Sequence, residues 1–231
     1  MAIDKEIKKK VIDDWLNAFP QLTLYTQDKL YRIVGSIIIG IELIKLPRTN
    51  EYRPHFVIYS LCGNKIGNDV KSCLAGPILL QEYYNKKDFQ YDIPYENHNA
   101  FFSDALESIR KQTPLLFEDN ISLKKLISVL DEYSKTPPLS AAPNSYLQAV
   151  LQEAKLRIAL SLDIREAQVI LDQIKKRAWD VNNFKAFGIE VDKWLQELQK
   201  TISNREELLK QIEINKEDKK ISKLKSSEII L

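Results

Sequence analysis

The spacing of apolar residues changes near Pro143. Beyond this residue there is no further proline and only one glycine, Gly188, so little interrupts a helix. Four successive segments, starting near residues 145, 163, 191 and 203, repeat apolar side chains at helical spacing. Capping patterns at Ser145 and Asp163 mark the first two starts. We therefore predict a helical bundle or a long helical hairpin over residues 144–215.

The apolar positions of these segments are expected to form the core of the bundle. In the first segment they include Leu147, Val150 and Leu151. Apolar stripes at this spacing normally face other helices rather than a cofactor. The pattern therefore predicts that Leu147 and Val150 are buried together with Leu151.

The pattern before residue 135 is mixed. Apolar positions between Ile7 and Leu16 have helical spacing. Runs rich in β-branched and aromatic residues follow and are separated by turn formers, at residues 22–25, 29–34, 37–46 and 54–61. Helical spacing returns at residues 78–84, 100–110 and 123–133. We predict an α+β fold, with a small antiparallel sheet (β-meander) and flanking helices over residues 1–135, followed by the helical part.

The dipeptide Gly35-Ser36 predicts the register of the central hairpin. Glycine at the first central position suits a two-residue type II′ turn, which places Tyr31 opposite Gly40 and Lys29 opposite Glu42. An aromatic ring beside a glycine and a pair of opposite charges are both favourable across strands. The other face is richer in apolar residues and is predicted to face the core; it carries Leu30, Arg32, Val34, Ile37, Ile39, Ile41 and Leu43.

The register of this hairpin decides whether candidate catalytic residues share one face of the sheet. A helix followed by a meander and then a helix also resembles the PD-(D/E)xK nuclease core, and the candidate catalytic residues for that activity are Asp28, Glu42 and Lys45. Metal-dependent cleavage needs these groups on one face, where every second strand residue lies. Glu42 and Lys45 are three positions apart and point to opposite faces unless a bulge intervenes. We therefore assign no catalytic residue, and the nuclease stays an alternative.

Composition and charge narrow the class of protein. The 231 residues include 34 basic and 32 acidic side chains, and a net charge of +2 excludes a protein that coats a polyanion. Two cysteines suit a reducing cytosol, and frequent lysine and isoleucine suit an AT-rich bacterial genome. Residues 1–10 carry no secretory signal, and the apolar stretch 33–46 is too short and interrupted to cross a bilayer. We expect a cytoplasmic protein without membrane contact.

The motifs that bind cofactors or metals are missing from the sequence. The turn at residues 63–69 lacks the lysine and hydroxyl that a phosphate-binding loop needs. His55 and His98 are far apart, and Cys62 and Cys73 do not have C-x-x-C spacing. We predict no cofactor and no metal site.

Two segments are candidates for contact with a partner. Residues 46–54 join two predicted strands and are expected to expose Arg48, Tyr52 and Arg53, residue types enriched at interfaces. An acidic protein surface or a phosphate backbone would suit this loop. The charged tail, residues 216–231, ends in apolar residues, so it has two interpretations: a solvated tail or a docking peptide.

These patterns favour a non-enzymatic interaction protein. We expect an accessory subunit of a bacterial cytosolic assembly that binds protein partners through the C-terminal helices and the 46–54 loop. Accessory proteins of phage-defence systems and toxin-neutralising immunity proteins fit this profile. Two alternatives remain: the metal-dependent nuclease, and a nucleic-acid-binding module that uses Arg32, Arg48, Arg53 and the tail lysines. In the leading hypothesis any nucleic-acid contact is indirect.

Overall fold

A computed structural model of the chain describes residues 3–63 and 76–231. The helices are α1 (Lys5–Ala18), α2 (His98–Gln112), α3 (Leu123–Ser134), α4 (Tyr146–Leu162), α5 (Ile164–Lys175), α6 (Val181–Ala186), α7 (Val191–Ser203) and α8 (Arg205–Lys216). The strands are β1 (Thr23–Thr26), β2 (Lys29–Val34), β3 (Ile37–Lys45), β4 (Glu51–Ser60), β5 (Pro77–Glu82), β6 (Ile93–Pro94), β7 (Ile121–Ser122), β8 (Ser226–Ser227) and β9 (Ile229–Ile230). Cys73 and residues 64–69 of the predicted turn lie outside the described residues.

The predicted α+β class is confirmed. Strands β1 to β5 form an antiparallel meander in chain order, the short β6 pairs with β4, and the helices follow. The predicted register of the β2–β3 hairpin is also confirmed, with Tyr31 opposite Gly40 and Lys29 opposite Glu42. Gly35 has a φ of +55° whereas Ser36 does not have a positive φ, as a type II′ turn requires. A Cβ added at Gly40 would lie 2.7 Å from Cδ1 of Tyr31, so the ring covers the glycine.

Two expectations about the sheet need correction. The predicted core face is buried, but the opposite face is buried as well, since Tyr31 and Ile38 are inaccessible to solvent. A strand that is covered on both faces is a nearly continuous run of apolar residues. The alternation of apolar and polar residues therefore could not show which face is buried. The prediction of a helix at residues 78–84 is wrong, because β5 pairs with β4 there. A short apolar run fits either structure until its partner is known.

The chain divides into two compact units. The sheet unit consists of Met1–Tyr59, Leu79–Asn120 and Lys219–Glu228, and the helical unit consists of Ser60–Ile78, Ile121–Asp218 and Ile229–Leu231. This division differs from the predicted segments 1–135, 144–215 and 216–231, because α3 belongs to the helical unit. The buried Lys155 on α4 pairs with Asp131 on α3, and Gln148 Nε2 donates to the carbonyl of Ser134 (2.7 Å). The proline-rich turn at 136–143 therefore joins two helices of one unit.

The C-terminal tail is ordered, and its interpretation as a solvated tail is wrong. In the sheet unit, β8 adds to β2 in parallel, and the amides of Ile33 and Gly35 donate to the carbonyls of Lys225 and Ser227 (2.9 Å each). In the helical unit, β9 pairs with β7. Apolar residues spaced among the lysines, such as Leu224, are buried. The tail therefore docks on its own chain.

The ends of the helices follow the predicted capping residues in part. Ser145 accepts from the amide of Gln148 (3.4 Å) and Asp163 from the amide of Arg165 (2.5 Å), so α4 and α5 begin as predicted. The second predicted segment breaks into α5 and α6, and Gly188 follows α6 with a φ of +73°. Arg205 donates to the carbonyls of residues 160–162 and caps α4.

Candidate functional site

The candidate nuclease residues do not converge. The carbonyl of Asp28 accepts from the amide of Leu43 (2.8 Å), so Asp28 lies beside β3 one position past Glu42. Burial raises the pKa of the Asp28 carboxyl, and the positive charges of Lys8 and Lys45 oppose the rise. Asp28 therefore lies opposite Leu43, on the face of β3 that also carries Lys45, whereas Glu42 contacts groups on the other face of the sheet. A metal held by both acids would require a different strand register.

Glu42 is the centre of a buried polar network. Its Oε1 accepts from Nζ of Lys29 (2.9 Å), from the hydroxyl of Tyr59 (2.6 Å) and from the hydroxyl of Tyr31. Burial raises the pKa of Glu42, but these three hydrogen bonds outweigh burial and hold the pKa below its ordinary value. The rings of Tyr25 and Tyr31 lie 5.1 Å apart beside the network. The carboxylate is ionised, and its Oε1 is held by three donors, which is typical of a structural group.

A second buried network joins residues that are distant in the sequence. Trp15 Nε1 donates to the hydroxyl oxygen of Tyr52 (3.0 Å), which lies 2.7 Å from Nδ1 of His98, and His98 Nε2 lies 3.2 Å from Oδ2 of Asp14. The carboxylate of Asp14 requires a proton on Nε2, so Nδ1 accepts from Tyr52. Burial lowers the pKa of His98, while Asp14 opposes this shift. The imidazole is therefore neutral.

This Tyr-His-Asp chain has the residue types of an acid–base site, but it does not have access to a substrate. Tyr52 is completely buried, and its oxygen already accepts from Trp15 and donates to His98. A nucleophile or general base needs a position within hydrogen-bonding reach of a reacting group. The network therefore serves the packing of α1 and α2 on the sheet.

The predicted interaction residues of the 46–54 loop separate in the structure. The loop itself covers only residues 46–50, and Arg48 is exposed there. Tyr52 and Arg53 belong to β4, because the β3–β4 hairpin is tighter than the sequence suggests. Arg53 forms a bidentate pair with Asp92, and Tyr52 is buried. Of the three residues, only Arg48 has the expected exposure.

Several basic residues of the nucleic-acid alternative are engaged within the sheet unit. Arg32 is buried, and its guanidinium donates to the carbonyls of Leu115 (3.0 Å), Glu118 and Asp119 (3.3 Å). Among the tail lysines, Lys225 donates to the carbonyl of Pro20 (2.5 Å). These side chains bind backbone oxygens of their own unit, so the predicted set does not form one exposed basic surface.

The helical unit instead exposes a group of apolar side chains. Leu147 and Val150, one turn apart on α4, are 51% and 40% exposed, while Val181 and Phe187 at the two ends of α6 are 51% and 53% exposed. The half-buried ring of Tyr146 lies 4.9 Å from the ring of Phe187. We call these five residues the helical patch. Its exposure corrects the prediction that Leu147 and Val150 belong to the core.

Hydrogen bonds and ring contacts hold the helical patch together. The amide of Tyr146 donates to Oδ1 of Asn183 (2.9 Å), and the amide of Asp180 donates to the carbonyl of Asn144 (3.0 Å), which fixes the start of α4 against α6. Beneath the surface, the ring of Phe184 lies 5.5 Å from the ring of Tyr146 and 5.8 Å from that of Trp179. These contacts hold α4 and α6 together above the rings of Phe184 and Trp179, which we call the aromatic base of the patch.

Within residues 3–63 and 76–231, no group of three or more histidine, cysteine, aspartate or glutamate side chains is arranged to hold a metal ion. None of the described helices is long and apolar enough to cross a membrane. Comparisons with protein-family models, with curated proteins and with solved structures find no match to this chain.

Proposed function

We propose that the chain is a non-enzymatic interaction protein that binds a protein partner through the helical patch. In this proposal it is an accessory subunit of a bacterial cytoplasmic assembly, and phage defence and toxin neutralisation are the processes that such a subunit suits. The exposed loop around Arg48 is a second contact surface. The observation that carries the proposal is the exposure of apolar side chains on α4 and at the two ends of α6, where the ring of Tyr146 contacts the ring of Phe187.

Three physical points support this use of the patch. Exposed apolar side chains are unremarkable singly, but a contiguous group on a fixed surface is typical of a binding site. Tyrosine and phenylalanine are enriched at the centres of interfaces, where they contribute large apolar areas with few rotatable bonds. The patch is also held by hydrogen bonds between α4 and α6, so little conformational entropy is lost when a partner binds.

The test compares two matched substitutions on the surface. Leu147→Asp places a charge in the first turn of α4, within the patch. Ile164→Asp places the same charge in the first turn of α5, at a residue of nearly equal exposure (50%). Leu147 lies at the start of α4 and Ile164 lies just beyond its end, about 25 Å away. An acidic residue is favourable near a helix N-terminus in both cases, so neither variant is expected to unfold the protein.

The experiment is co-purification of the tagged chain from cells that produce it naturally, followed by mass determination. We expect a stoichiometric companion protein with the wild type and with Ile164→Asp, and loss of that companion with Leu147→Asp. Recovery of the same companion with all three forms would show that the patch is not the contact. Recovery of a lone monomer in every case would contradict the proposed function itself.

A further inference from the structure

The chain segment that contains α6 is strongly basic. The segment 175–188, which contains α6, carries four basic side chains and one acidic side chain. Lys176, Arg177 and Lys185 are exposed, and Lys185 lies on α6 between Phe184 and Phe187. The guanidinium of Arg177 lies 5.4 Å from the ring of Trp179, within the aromatic base of the patch. A partner that covers the apolar side chains would therefore meet several positive charges.

Two acidic side chains of these elements, Asp180 and Glu153, are engaged within the unit. Asp180 accepts from the amide of Asn183 (3.0 Å) as the cap of α6. Glu153, which lies on α4, pairs with Arg157 (2.8 Å) and accepts from Trp194 Nε1 (2.8 Å). These contacts do not neutralise the exposed lysines of the basic segment. The α6 side of the patch therefore carries the exposed positive charges of Lys176, Arg177 and Lys185.

From this juxtaposition we infer that the occupant of the helical patch is an acidic amphipathic helix of another protein; the inference rests on the proposed function and names the partner's chemistry. A partner helix places apolar side chains at i, i+3, i+4 and i+7 against the patch and carboxylates along its flanks. Those carboxylates lie opposite Lys176, Arg177 and Lys185, where they form ion pairs at the edge of the interface.

An extended peptide suits the same surface less well. Strand addition relies on backbone hydrogen bonds to an open sheet edge. The patch consists of side chains on α4 and α6, and helical backbone groups are bonded within their own helices. An extended peptide would leave its own amides and carbonyls without partners in the buried centre. A helix satisfies these groups internally.

A second copy of this chain is also a poorer occupant. A two-fold interface brings the same patch of both copies together. The basic segments of the two copies would then face each other, and like charges at an interface disfavour association. An acidic partner is attracted to the same segment, so charge favours a different protein.

The test uses two synthetic amphipathic helices with identical leucine positions, one carrying glutamates on its polar face and the other carrying lysines in their place. Fluorescence anisotropy measures the binding of each to the full chain. We expect the acidic helix to bind at least about tenfold more tightly than the basic helix at low salt, and this preference to shrink as salt is raised. Leu147→Asp weakens binding of the acidic helix about tenfold, and Ile164→Asp leaves it unchanged.

A charge-reversal variant separates recognition of charge from apolar contact. Lys176→Glu with Lys185→Glu keeps the apolar centre and is expected to abolish or invert the preference for the acidic helix. Equal binding of both helices, binding of neither, or a preference that the reversal leaves unchanged would overturn the inference. A wild-type dimer that Leu147→Asp converts to monomer, measured by light scattering, would assign the patch to a second copy and also overturn it. The proposed function is decided separately, by whether Leu147→Asp loses the companion protein from cells.

Discussion

The candidate functional features of the two units are of opposite kinds, buried polar networks in the sheet unit and an exposed apolar surface in the helical unit, although both units bury some polar groups and expose some apolar ones. The sheet unit buries polar groups, including Glu42 and the chain from Trp15 to Asp14 through Tyr52 and His98, and gives each of these groups a partner. The helical unit leaves apolar groups, such as Leu147 and Phe187, on its surface. Buried polar groups with complete hydrogen bonding stabilise and orient a fold. Exposed apolar groups do not have that role.

This difference shows where function is to be sought. Shifted pKa values cluster at active sites, but buried structural networks shift pKa values as well. Glu42 and His98 have shifted pKa values, yet each is enclosed by donors and acceptors of its own unit. The helical patch is apolar apart from the phenol of Tyr146, whose pKa burial raises, and its other four side chains are exposed. The comparison therefore favours binding over catalysis, and the following substitutions test each side of it.

The largest expected effect is at Gly40, where the sheet has no room for a side chain. A Cβ at this position would lie 2.0 Å from the carbonyl oxygen of Leu30 and 2.7 Å from Cδ1 of Tyr31. Gly40→Ala must displace backbone in the central hairpin, so we expect a loss of at least about 3 kcal/mol in the free energy of unfolding. Urea denaturation of the wild type and the variant measures this loss of stability.

Gly63→Ala provides the matched control, because no atom lies within 4 Å of its added Cβ. We expect this variant to stay within about 0.5 kcal/mol of the wild type. Equal unfolding midpoints for the two variants would show that the close approach of Tyr31 and Leu30 to Gly40 does not hold in solution.

The second effect is at Glu42. Glu42→Ala leaves the hydroxyls of Tyr31 and Tyr59 and the ammonium of Lys29 without their shared acceptor, and we expect a loss of about 3 kcal/mol. Because the folded state lowers the pKa of Glu42, its contribution is complete above the ordinary value of 4.5 and is lost as pH falls through the folded pKa. Unfolding curves measured at several pH values above and below 4.5 give the pH dependence of the free energy of unfolding.

Glu42→Gln separates the charge from the hydrogen bonds. It keeps an acceptor oxygen but removes the titration, so the part of the stability lost below pH 4.5 that belongs to Glu42 should disappear. Parallel loss of stability in the wild type and Glu42→Gln would mean that the three donors do not stabilise the carboxylate.

The sequence predicted the parts of the molecule that depend on neighbours along the chain. The β2–β3 register followed from one turn glycine and two cross-strand pairs, and the starts of α4 and α5 followed from Ser145 and Asp163. These features are local, because a turn or a cap is decided by residues within a few positions.

Features that depend on distant residues could not be predicted. The strand β5 exists because it pairs with β4, and the ordered tail because it pairs with β2. The His98 network joins residues between 37 and 84 positions apart. The helical patch did leave a sign in the sequence: Gln148, Gln152 and Lys155 interrupt the apolar stripe of α4, and these polar residues occupy the buried face while Leu147 and Val150 are exposed.

The third effect is at Tyr52. Tyr52→Phe removes the oxygen that accepts from Trp15 and donates to His98, leaving an indole N–H and a ring nitrogen without partners. We expect a loss of about 2 kcal/mol. Tyr84→Phe removes an exposed hydroxyl bonded to Glu82 and should cost less than about 0.5 kcal/mol.

The pH dependence of this network has a defined sign. The folded state lowers the pKa of His98, so its contribution is complete above the ordinary value of 6.5 and declines as pH falls below it. If Nδ1 of His98 were protonated, its N–H and the hydroxyl of Tyr52 would both be donors at a contact that needs one donor and one acceptor. In Tyr52→Phe that conflict is absent, so the decline below pH 6.5 should be smaller. An unchanged decline would show that Tyr52 does not oppose protonation of His98.

The smallest expected effect on stability is in the helical patch. Leu147→Asp changes a half-exposed side chain in the first turn of α4, so the free energy of unfolding should stay within about 0.5 kcal/mol of the wild type. Leu151→Asp, one turn further on but buried, should lose about 3 kcal/mol or more, because it places a charge in the core of the same helix. Comparable losses for both would mean that Leu147 is part of the core in solution. Near-wild-type stability of Leu147→Asp is also what allows any loss of partner binding to be attributed to the surface itself.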